Sequence, residues 1–295
     1  MALTSPEPLD TWPFEVTPLH PQFGCEIKGV TLEEAVSDTV FPIIYEAFLR
    51  YQLILFRDVD LPPAMQVALA RRFGEVQVHV MNQYHGYADQ PEIYVLSNLD
   101  ENGRPNGKHP DQGTLFWHTD GSWRPTPGLA TMMYSERVPE AGGHTEFAST
   151  YEAYDHLSSE MKVRLDGLNA IHNLDFSRTR RHGEAPMTEE QKRKVPPVPH
   201  PVVRRHPETG RPALFLGDHA ETIEGMDYQE GRALIEQLMT TSITDDMIYS
   251  HKWQPRECAI WDNRCTLHRA TGFDTTKHIR VMRRCTTLGQ VPNAA

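Results

Sequence analysis

The sequence predicts a mainly β protein with inserted helices, arranged as a double-stranded β-helix (jelly-roll, cupin-like) barrel. Short strand-like runs bounded by turn-forming residues recur along the chain, and the segments with helical spacing are few and lie early and midway. The sequence contains no internal repeat. A jelly roll closes or covers its sheet edges and leaves an interior that can hold a ligand.

Length and composition predict one domain rather than two. The chain has 295 residues, of which 39% are hydrophobic, and β-barrels commonly exceed about 200 residues as one unit. Residues 1–22 contain five prolines and are predicted to form an extended N-terminal arm. The rest of the chain, 23–290, is predicted to be a single domain.

Periodicity and end signals predict the elements in order. Apolar residues recur at helical spacing over 37–51, and 62–74 has proline in its first turn and glycine at its end. Further helices are predicted at about 149–168 and 227–241. The predicted strands are 23–31 (as a pair), 53–56, 76–82, 92–98, 128–136, 202–205, 213–217, 248–253, 257–262 and 280–287.

Two segments are predicted to be lid loops, at about 80–113 and 174–200. Residues 99–113 are nearly all turn formers and lie directly before the stretch 114–121. Residues 174–200 combine clustered arginine and lysine with several prolines. This composition is typical of a solvated loop over a barrel mouth, and a basic patch for polyanions is the alternative.

The charge and cysteine content exclude several classes of partner and compartment. A formal net charge of −11 argues against a nucleic-acid or anionic-membrane surface, since both require clustered Lys and Arg. The four cysteines form no C-x-x-C pair and are predicted to be reduced thiols. The sequence has no signal-peptide pattern and no run long enough for a membrane span. These observations predict a cytoplasmic protein, and they leave homo-oligomerisation open.

The stretch 114–121 places His118 and Asp120 two residues apart, directly before Gly121. In an extended strand such residues point to the same face, so an imidazole and a carboxylate would project side by side. A hydrophobic run far down the chain ends in His268 and offers a third ligand. Two histidines and one carboxylate form the facial arrangement of non-haem Fe(II) oxygenases. The alternative is a hydrogen-bonded core cluster without a metal.

Two arginines are predicted on the strand that returns after His268. The turn between the two strands is marked by Gly272 and Asp274. Residues 280, 282 and 284 would share one face of the return strand, so Arg280 and Arg284 would enter the same cavity as the metal. Two inward arginines require anions to pair with.

With these motifs, the chain resembles the taurine dioxygenase and 2,4-dichlorophenoxyacetate dioxygenase family of Fe(II)/2-oxoglutarate-dependent dioxygenases. The likeness runs from about residue 24 to residue 288. The segments 206–225 and 283–288 are more similar to the aryloxyalkanoate branch than to the taurine enzymes. The landmarks that carry the resemblance are 53–56, 70–74, 117–120, 142–147 and 261–269.

The resemblance implies roles for the residues already singled out. His118, Asp120 and His268 would be the catalytic residues that hold Fe(II). Thr145 and Arg280 would bind the distal carboxylate of the cosubstrate 2-oxoglutarate. The keto acid end of 2-oxoglutarate would chelate the metal and leave one position for O₂.

The resemblance also implies a set of substrate-binding residues. Arg284 would pair with the acidic group of a small anionic substrate. His206 and His219 fall where aryloxyacetate enzymes place histidines near the substrate carboxylate, and His79 falls where taurine-type enzymes place a sulfonate-binding histidine. One departure matters: the aryloxyacetate branch is expected to have lysines in the segment 75–99, which here has none and carries His79 and Asn82 instead.

The activity implied is hydroxylation of a small carboxylic acid, such as an aryloxyalkanoate, with ether cleavage, coupled to decarboxylation of 2-oxoglutarate to succinate and CO₂. One alternative keeps these cofactors but acts on an organosulfonate or alkyl sulfate, which His79 would favour. The other alternative is a non-catalytic sensor that binds metal and 2-oxoglutarate.

Overall fold

The computed structural model describes residues 11–78, 86–87, 89–180 and 185–295, and the fold is that of these residues. The chain is mainly β with several helices, which confirms the predicted class at this level. The strands are β1 (Glu15–Pro18), β2 (Cys25–Lys28), β3 (Leu53–Phe56), β4 (Gly86–Tyr87), β5 (Gln90–Ser97), β6 (Gly128–Arg137), β7 (Thr145–Ser149), β8 (Asn169–His172), β9 (Val198–Pro201), β10 (Val203–Arg205), β11 (Pro212–Leu214), β12 (Ala220–Ile223), β13 (Ile248–His251), β14 (Cys258–Asp262), β15 (Thr266–Ala270) and β16 (Val281–Leu288). The helices are α1 (Leu32–Ala35), α2 (Phe41–Tyr51), α3 (Pro63–Phe73), α4 (Thr150–Asp155), α5 (Ser159–Leu165), α6 (Leu174–Thr179), α7 (Glu189–Lys194) and α8 (Tyr228–Thr241), with short 3-10 helices at Gln112–Leu115 and Asp245–Met247.

An eight-stranded sheet forms the largest part of the fold, in the order β1-β2-β3-β14-β6-β16-β5-β4. Strand β14 lies near its centre and all its residues are buried. A strand that is covered on both faces has a continuous hydrophobic sequence. The sequence before Asp262 therefore shows no alternation of polar and apolar residues. Strands β2 and β3 are parallel, so the chain must cross over between them, and α1 and α2 lie in that connection.

Helices α2 and α3 cover one face of this sheet with aromatic side chains. The ring centroids of Phe48 and Phe73 are 5.0 Å apart, and both rings share a core cluster with Ile54 of β3 and Ile260 of β14. Helix α2 ends at Gln52, whose left-handed φ of 66° turns the chain directly into β3. The predicted helices at 37–51 and 62–74 are confirmed, with later starts than predicted.

A three-stranded sheet, β13-β7-β15, packs against the other face of the large sheet. Alternate residues of one strand point to opposite faces, so Trp261 of β14 points away from the helices while Ile260 points toward them. The Trp261 ring lies 5.3 Å from the ring of Phe147 of β7. Side chains from both sheets therefore form one core, and the space beside this core holds the candidate site.

A smaller part of the fold is built on helix α8. Its buried residues pack in a third core cluster with side chains of the β12-β8-β9 sheet and the β10-β11 pair. The predicted helix at 227–241 is thereby confirmed. Helix α8 has 14 residues, and neither it nor another helix in the described ranges is long and apolar enough to cross a lipid bilayer.

Several predicted elements differ in the structure. Residues 114–121 do not form a regular strand, because Gln112–Leu115 is a 3-10 helix and His118 makes an isolated bridge with His268. The predicted helix at 149–168 is two helices, α4 and α5. The segment 174–200, predicted as a loop, contains α6, α7 and β9, whereas β5 confirms the strand predicted at 92–98. Part of the predicted arm is β1, an edge strand of the large sheet.

The aromatic layer between α2, α3 and the sheet predicts a large loss of stability when it is truncated. Phe48→Ala removes a fully buried ring and should lower the free energy of unfolding by about 3–5 kcal/mol. Val163→Ala on α5, a residue with 78% of its surface exposed, is the matched control and should change it by less than about 0.5 kcal/mol. Equilibrium unfolding in urea measures both, and equal effects of the two variants would contradict the packing described.

Candidate metal centre and substrate cavity

His118, Asp120 and His268 converge in the described part of the chain. Their candidate ligand atoms all lie within 4.8 Å of one another, and all three residues are buried. Nε2 of His118 is 3.9 Å from Oδ1 of Asp120, and Nε2 of His268 is 3.8 Å from Oδ2. This geometry joins two neighbours in sequence to a strand about 150 residues away, as the pattern predicts.

Backbone hydrogen bonds hold the two histidines side by side. The His118 amide donates to the His268 carbonyl at 3.0 Å, and the His268 amide donates back to the His118 carbonyl at 2.9 Å. This reciprocal pair sets the ring centroids 4.1 Å apart. The isolated bridge therefore holds His118 beside His268, although the strand predicted at 114–121 does not form.

Asp120 is fixed by a turn, by Thr131 of β6 and by Asn263, which directly follows β14. Its carbonyl accepts from the Gly128 amide at 2.9 Å, and Gly121 has a left-handed φ of 70°, which glycine adopts without strain. The Asp120 amide donates to Oδ1 of Asn263 at 3.3 Å. The Thr131 hydroxyl, on β6, donates to Oδ2 of Asp120 at 2.5 Å. The carboxylate is therefore held in one orientation before any ion binds.

The electrostatics of the site favour a carboxylate beside a neutral imidazole. Burial would raise the pKa of the Asp120 carboxyl, but the Arg284 guanidinium and the Thr131 hydrogen bond hold that pKa well below its usual range. Burial lowers the pKa of His268 well below its usual value, and His118 and Arg284 lower it further. His268 is therefore neutral at neutral pH, which is the form that coordinates a metal.

The hydrogen bonding of the imidazoles fits a divalent ion. Nδ1 of His118 lies 2.8 Å from the Phe116 carbonyl, so Nδ1 carries the proton and the Nε2 lone pair faces Asp120. Nε2 of His268 also faces Asp120. Two imidazole nitrogens and one carboxylate match the ligand set of a non-haem Fe(II) site.

Arg280 and Thr145 both lie close to Gly143. Nε of Arg280 donates to the Gly143 carbonyl at 3.4 Å, and the Thr145 hydroxyl accepts from the indole of Trp253 at 2.8 Å. A side chain at Gly143 would meet Pro139 at 2.6 Å and Arg280 at 3.5 Å, and its φ is +65°. Glycine at this position therefore avoids a clash with Pro139 and adopts the positive φ without strain.

Arg280 is a buried cation without a counter-charge in the described residues. It is 3% exposed and no carboxylate among these residues lies within 4.0 Å of it. Burial lowers its pKa to about 10, so the guanidinium stays charged at neutral pH. A buried charge is stable only when it is paired. The burial of Arg280 therefore indicates that an anionic ligand binds at this site.

Arg280 and Arg284 lie on either side of the start of β16. Arg280 precedes β16, and the pairing of β16 with β6 has a register irregularity between Val281 and Met282. The extra residue of this irregularity, Glu136, lies on β6, and β16 pairs regularly with β5 from Val281 to Arg284, so the alternation of side chains along β16 is kept. Arg284 lines the main cavity. Arg280 is close enough to His109, which lines the same cavity, to lower the pKa of that imidazole in addition to the effect of burial.

The main cavity has a volume of about 990 Å³ and is reached directly from the metal cluster. His118, Asp120 and Arg284 lie on its wall. Nη1 of Arg284 is 3.4 Å from Oδ1 of Asp120, and its guanidinium carbon is 5.2 Å from the Tyr94 ring centroid. The rest of the wall comes mainly from the segments 108–114, 121–126 and 187–198.

The predicted substrate histidines have different locations. His219 lines the cavity, with Nδ1 3.0 Å from the Ser122 hydroxyl. His206 does not line it: its Nε2 is 3.1 Å from Oδ2 of Asp262 in a buried cluster. Arg264 pairs with both oxygens of the same carboxylate, so this cluster is a structural ion pair. His79 and Asn82 lie outside the described residues.

Three residues near the site were missed in the sequence. Thr131 and Asn263 orient Asp120, and Arg124 lines the cavity. Asn263 lies in a sequence landmark but was not singled out. A threonine on a strand and an arginine in a turn carry no local signal of such a role.

The family described as "Taurine catabolism dioxygenase TauD, TfdA family" matches residues 15–286. The chain is 33% identical over 276 residues to the (S)-phenoxypropionate/alpha-ketoglutarate-dioxygenase of Sphingobium herbicidovorans, which covers 90% of this chain and 91% of that protein. It is 32% identical over 278 residues to the alpha-ketoglutarate-dependent 2,4-dichlorophenoxyacetate dioxygenase of Cupriavidus pinatubonensis, with 92% and 96% covered.

A solved structure has the same fold. The crystal structure of AAD-2 in complex with Mn(II) and N-oxalylglycine is similar with a TM-score of 0.82 and 30% sequence identity, over 95% of this chain and 98% of that one. The family match spans most of the chain, and the His-Asp-His cluster lies within the matched residues. The chain therefore belongs to the TauD/TfdA family and is an alpha-ketoglutarate-dependent dioxygenase.

Proposed function

We propose that this dioxygenase hydroxylates a small carboxylic acid of the aryloxyalkanoate class and thereby cleaves its ether bond. The observation that carries the proposal is the cluster of His118, Asp120 and His268 beside a cavity that contains Arg284. Two relatives are named for phenoxypropionate and 2,4-dichlorophenoxyacetate, which are small aryloxy acids. The partner of the protein is thus a small anionic molecule.

The finer architecture is also part of the proposal. The eight-stranded sheet and the β13-β7-β15 sheet would be the two walls of a double-stranded β-helix barrel, within one domain spanning 23–290. The support is that both sheets contribute to one core and that the metal cluster joins β15 to residues bonded to β6.

As a member of its family, the protein uses Fe(II), 2-oxoglutarate and O₂, and His118, Asp120 and His268 would hold the iron. When bound, these groups supply the oxidation that decarboxylates 2-oxoglutarate to succinate and CO₂ and hydroxylates the carbon next to the ether oxygen. The protein keeps the ligands ready for this: the Phe116 carbonyl fixes the His118 tautomer, and Thr131 orients the carboxylate.

Arg280 and Thr145 would bind the distal carboxylate of 2-oxoglutarate. The guanidinium of Arg280 is buried, charged and without a carboxylate partner in the described residues. A planar guanidinium binds a carboxylate through two parallel hydrogen bonds, which fix its direction as well as its charge. The Thr145 hydroxyl already accepts from Trp253, so its own proton is available to a second acceptor.

Arg284 would orient the substrate acid relative to the metal. It lies on the cavity wall within 3.4 Å of the ligand Asp120, so an acid bound to it would be fixed close to the reacting position. Holding one carbon of the substrate toward the metal is catalysis by positioning. His219 is a second candidate contact on the same wall.

The alternative functions have less support. An organosulfonate or alkyl sulfate substrate was favoured by His79, which lies outside the described residues, so no geometry supports it. A non-catalytic sensor does not need a cavity of about 990 Å³ beside the cluster. His79, Asn82 and His206 remain sequence predictions for substrate binding, and in the structure His206 contacts Asp262 through Nε2.

The metal ligands can be tested directly. His118→Ala or Asp120→Ala should abolish succinate formation and lower the iron content of the purified protein, while the circular dichroism spectrum stays the same. His156→Ala, at an exposed position on the end of α4, is the matched control and should keep full activity. Near-normal turnover by either ligand variant with iron supplied would show that the metal lies elsewhere.

The role of Arg280 predicts a defect in 2-oxoglutarate binding. A charge-assisted hydrogen bond contributes about 1.5–3 kcal/mol, so Arg280→Ala should raise the KM for 2-oxoglutarate more than about tenfold. Iron binding, measured separately by calorimetry, should be affected much less. Arg205→Ala, at an exposed position, is the control, and a KM for Arg280→Ala within twofold of that control would refute the assignment.

The substrate class can be tested with a panel of aryloxyacetates, aryloxypropionates, alkanesulfonates and alkyl sulfates. Succinate formation above the substrate-free background should occur with the aryloxy acids, and the released phenol should match it in amount. Phenol release is the diagnostic readout, because it reports the ether cleavage itself. Turnover with the sulfur acids alone would exclude the proposed class.

A further inference from the structure

Arg124 is an arginine of the cavity wall whose charge is not balanced by a carboxylate of the described residues. Arg284 is met by Asp120 at 3.4 Å. Arg124 also lines the cavity, and in the described chain no carboxylate lies within 4.0 Å of its guanidinium. Burial lowers the pKa of Arg124, and its Nε is buried without a hydrogen-bond partner.

Arg124 is held in place by neutral groups. Its guanidinium carbon lies 4.5 Å from the centroid of the Trp123 ring, which is within the range of a cation–π contact. The amide of Gln77, in the orientation that hydrogen bonding favours, accepts from Nη1 of Arg124 at 3.0 Å. These contacts orient the guanidinium but leave its positive charge uncompensated.

Arg124 is connected to the metal site by short structural links. Its amide donates to the Gly121 carbonyl at 2.9 Å, one residue after Asp120. Gln77 is joined to β16 by a hydrogen bond of 2.8 Å from its amide to the Thr286 carbonyl, and Thr286 lines the cavity two residues after Arg284. Arg124 is therefore connected through Gln77 to β16, the strand that carries Arg284.

The lysines of the cavity are not partly buried cations that lack a carboxylate partner. Lys108 and Lys194 are exposed to solvent, and Lys194 pairs with Glu190 at 2.7 Å. Water solvates an exposed ammonium, so it needs no ligand, whereas a partly buried guanidinium is costly without an anion. Arg124 therefore has a greater need for an anionic ligand than Lys108 or Lys194.

We propose that Arg124 and Trp123 form a second anion-binding subsite, and that the substrate is an aromatic dicarboxylate with one acid at Arg284 and the other at Arg124. This inference rests on the proposed function. A cavity of about 990 Å³ is at the large end of small-molecule sites and has room for a ring between the two acids. The indole of Trp123 supplies an apolar face for that ring.

The test compares phenoxyacetate with 3-carboxy- and 4-carboxyphenoxyacetate, which differ by the second acid alone. The wild-type protein should turn over the better dicarboxylate with a kcat/KM at least about tenfold higher, the gain expected from one charge-assisted contact. Arg124→Gln should bring that ratio close to one, and Arg124→Lys should restore part of it. Arg164→Gln, at an exposed position on α5, removes the same charge elsewhere and should keep the wild-type ratio.

Direct binding keeps this test separate from that of the proposed function. Calorimetry with each compound and each variant gives the same ratio from dissociation constants, without turnover. If the dicarboxylates bind in an Arg124-dependent way but no phenol is released, the subsite is supported and the ether cleavage is refuted. An equal ratio in wild type and Arg124→Gln, a wild-type preference for phenoxyacetate, or no binding of any of the three compounds would overturn the subsite.

Discussion

The structure of the site depends on one buried carboxylate, that of Asp120. It is 8% exposed and is contacted by the Thr131 hydroxyl, by Arg284 and by the two imidazoles. A buried carboxylate without such partners would be strongly destabilising. Its partners come from β6, β15 and β16, so this one carboxylate contacts residues of both sheets.

Asn263 links this carboxylate to the hydrophobic core. Its Oδ1 accepts from the Asp120 amide and from the indole of Trp261, and its Nδ2 donates to the Thr131 hydroxyl. The same indole packs on Phe147 and thus on the second sheet. The side-chain amide has both a donor and an acceptor group, so it can connect the core and the ligand at once. The precision of the metal site is therefore a consequence of the packing between sheets.

The sequence predicted the parts of the fold and site that have local signals. Helix α2 has apolar side chains at helical spacing, and the His-x-Asp pattern with a distant histidine identified the metal cluster although no regular strand forms there. Helix α7 was not predicted, because its segment is rich in charged residues and proline. Its capping box at Thr188 and Gln191 is the local signal that indicates the helix. The tertiary partner of His206 is Asp262, and such a pairing between distant residues has no signal in a single sequence.

Arg284 and Arg124 differ in the effect that a substrate acid bound to them would have on the metal ligand Asp120. Arg284 lies 3.4 Å from Asp120, so an acid bound to Arg284 competes with Asp120 for the same positive charge. Arg124 has neutral partners in the described residues, so an acid bound there leaves Asp120 unaffected. Coulombic attraction is strong in a partly buried site, and each added anion near the iron would weaken the binding of 2-oxoglutarate, itself an anion. Placing part of the substrate's charge at Arg124 therefore separates substrate recognition from the electrostatics of the metal centre.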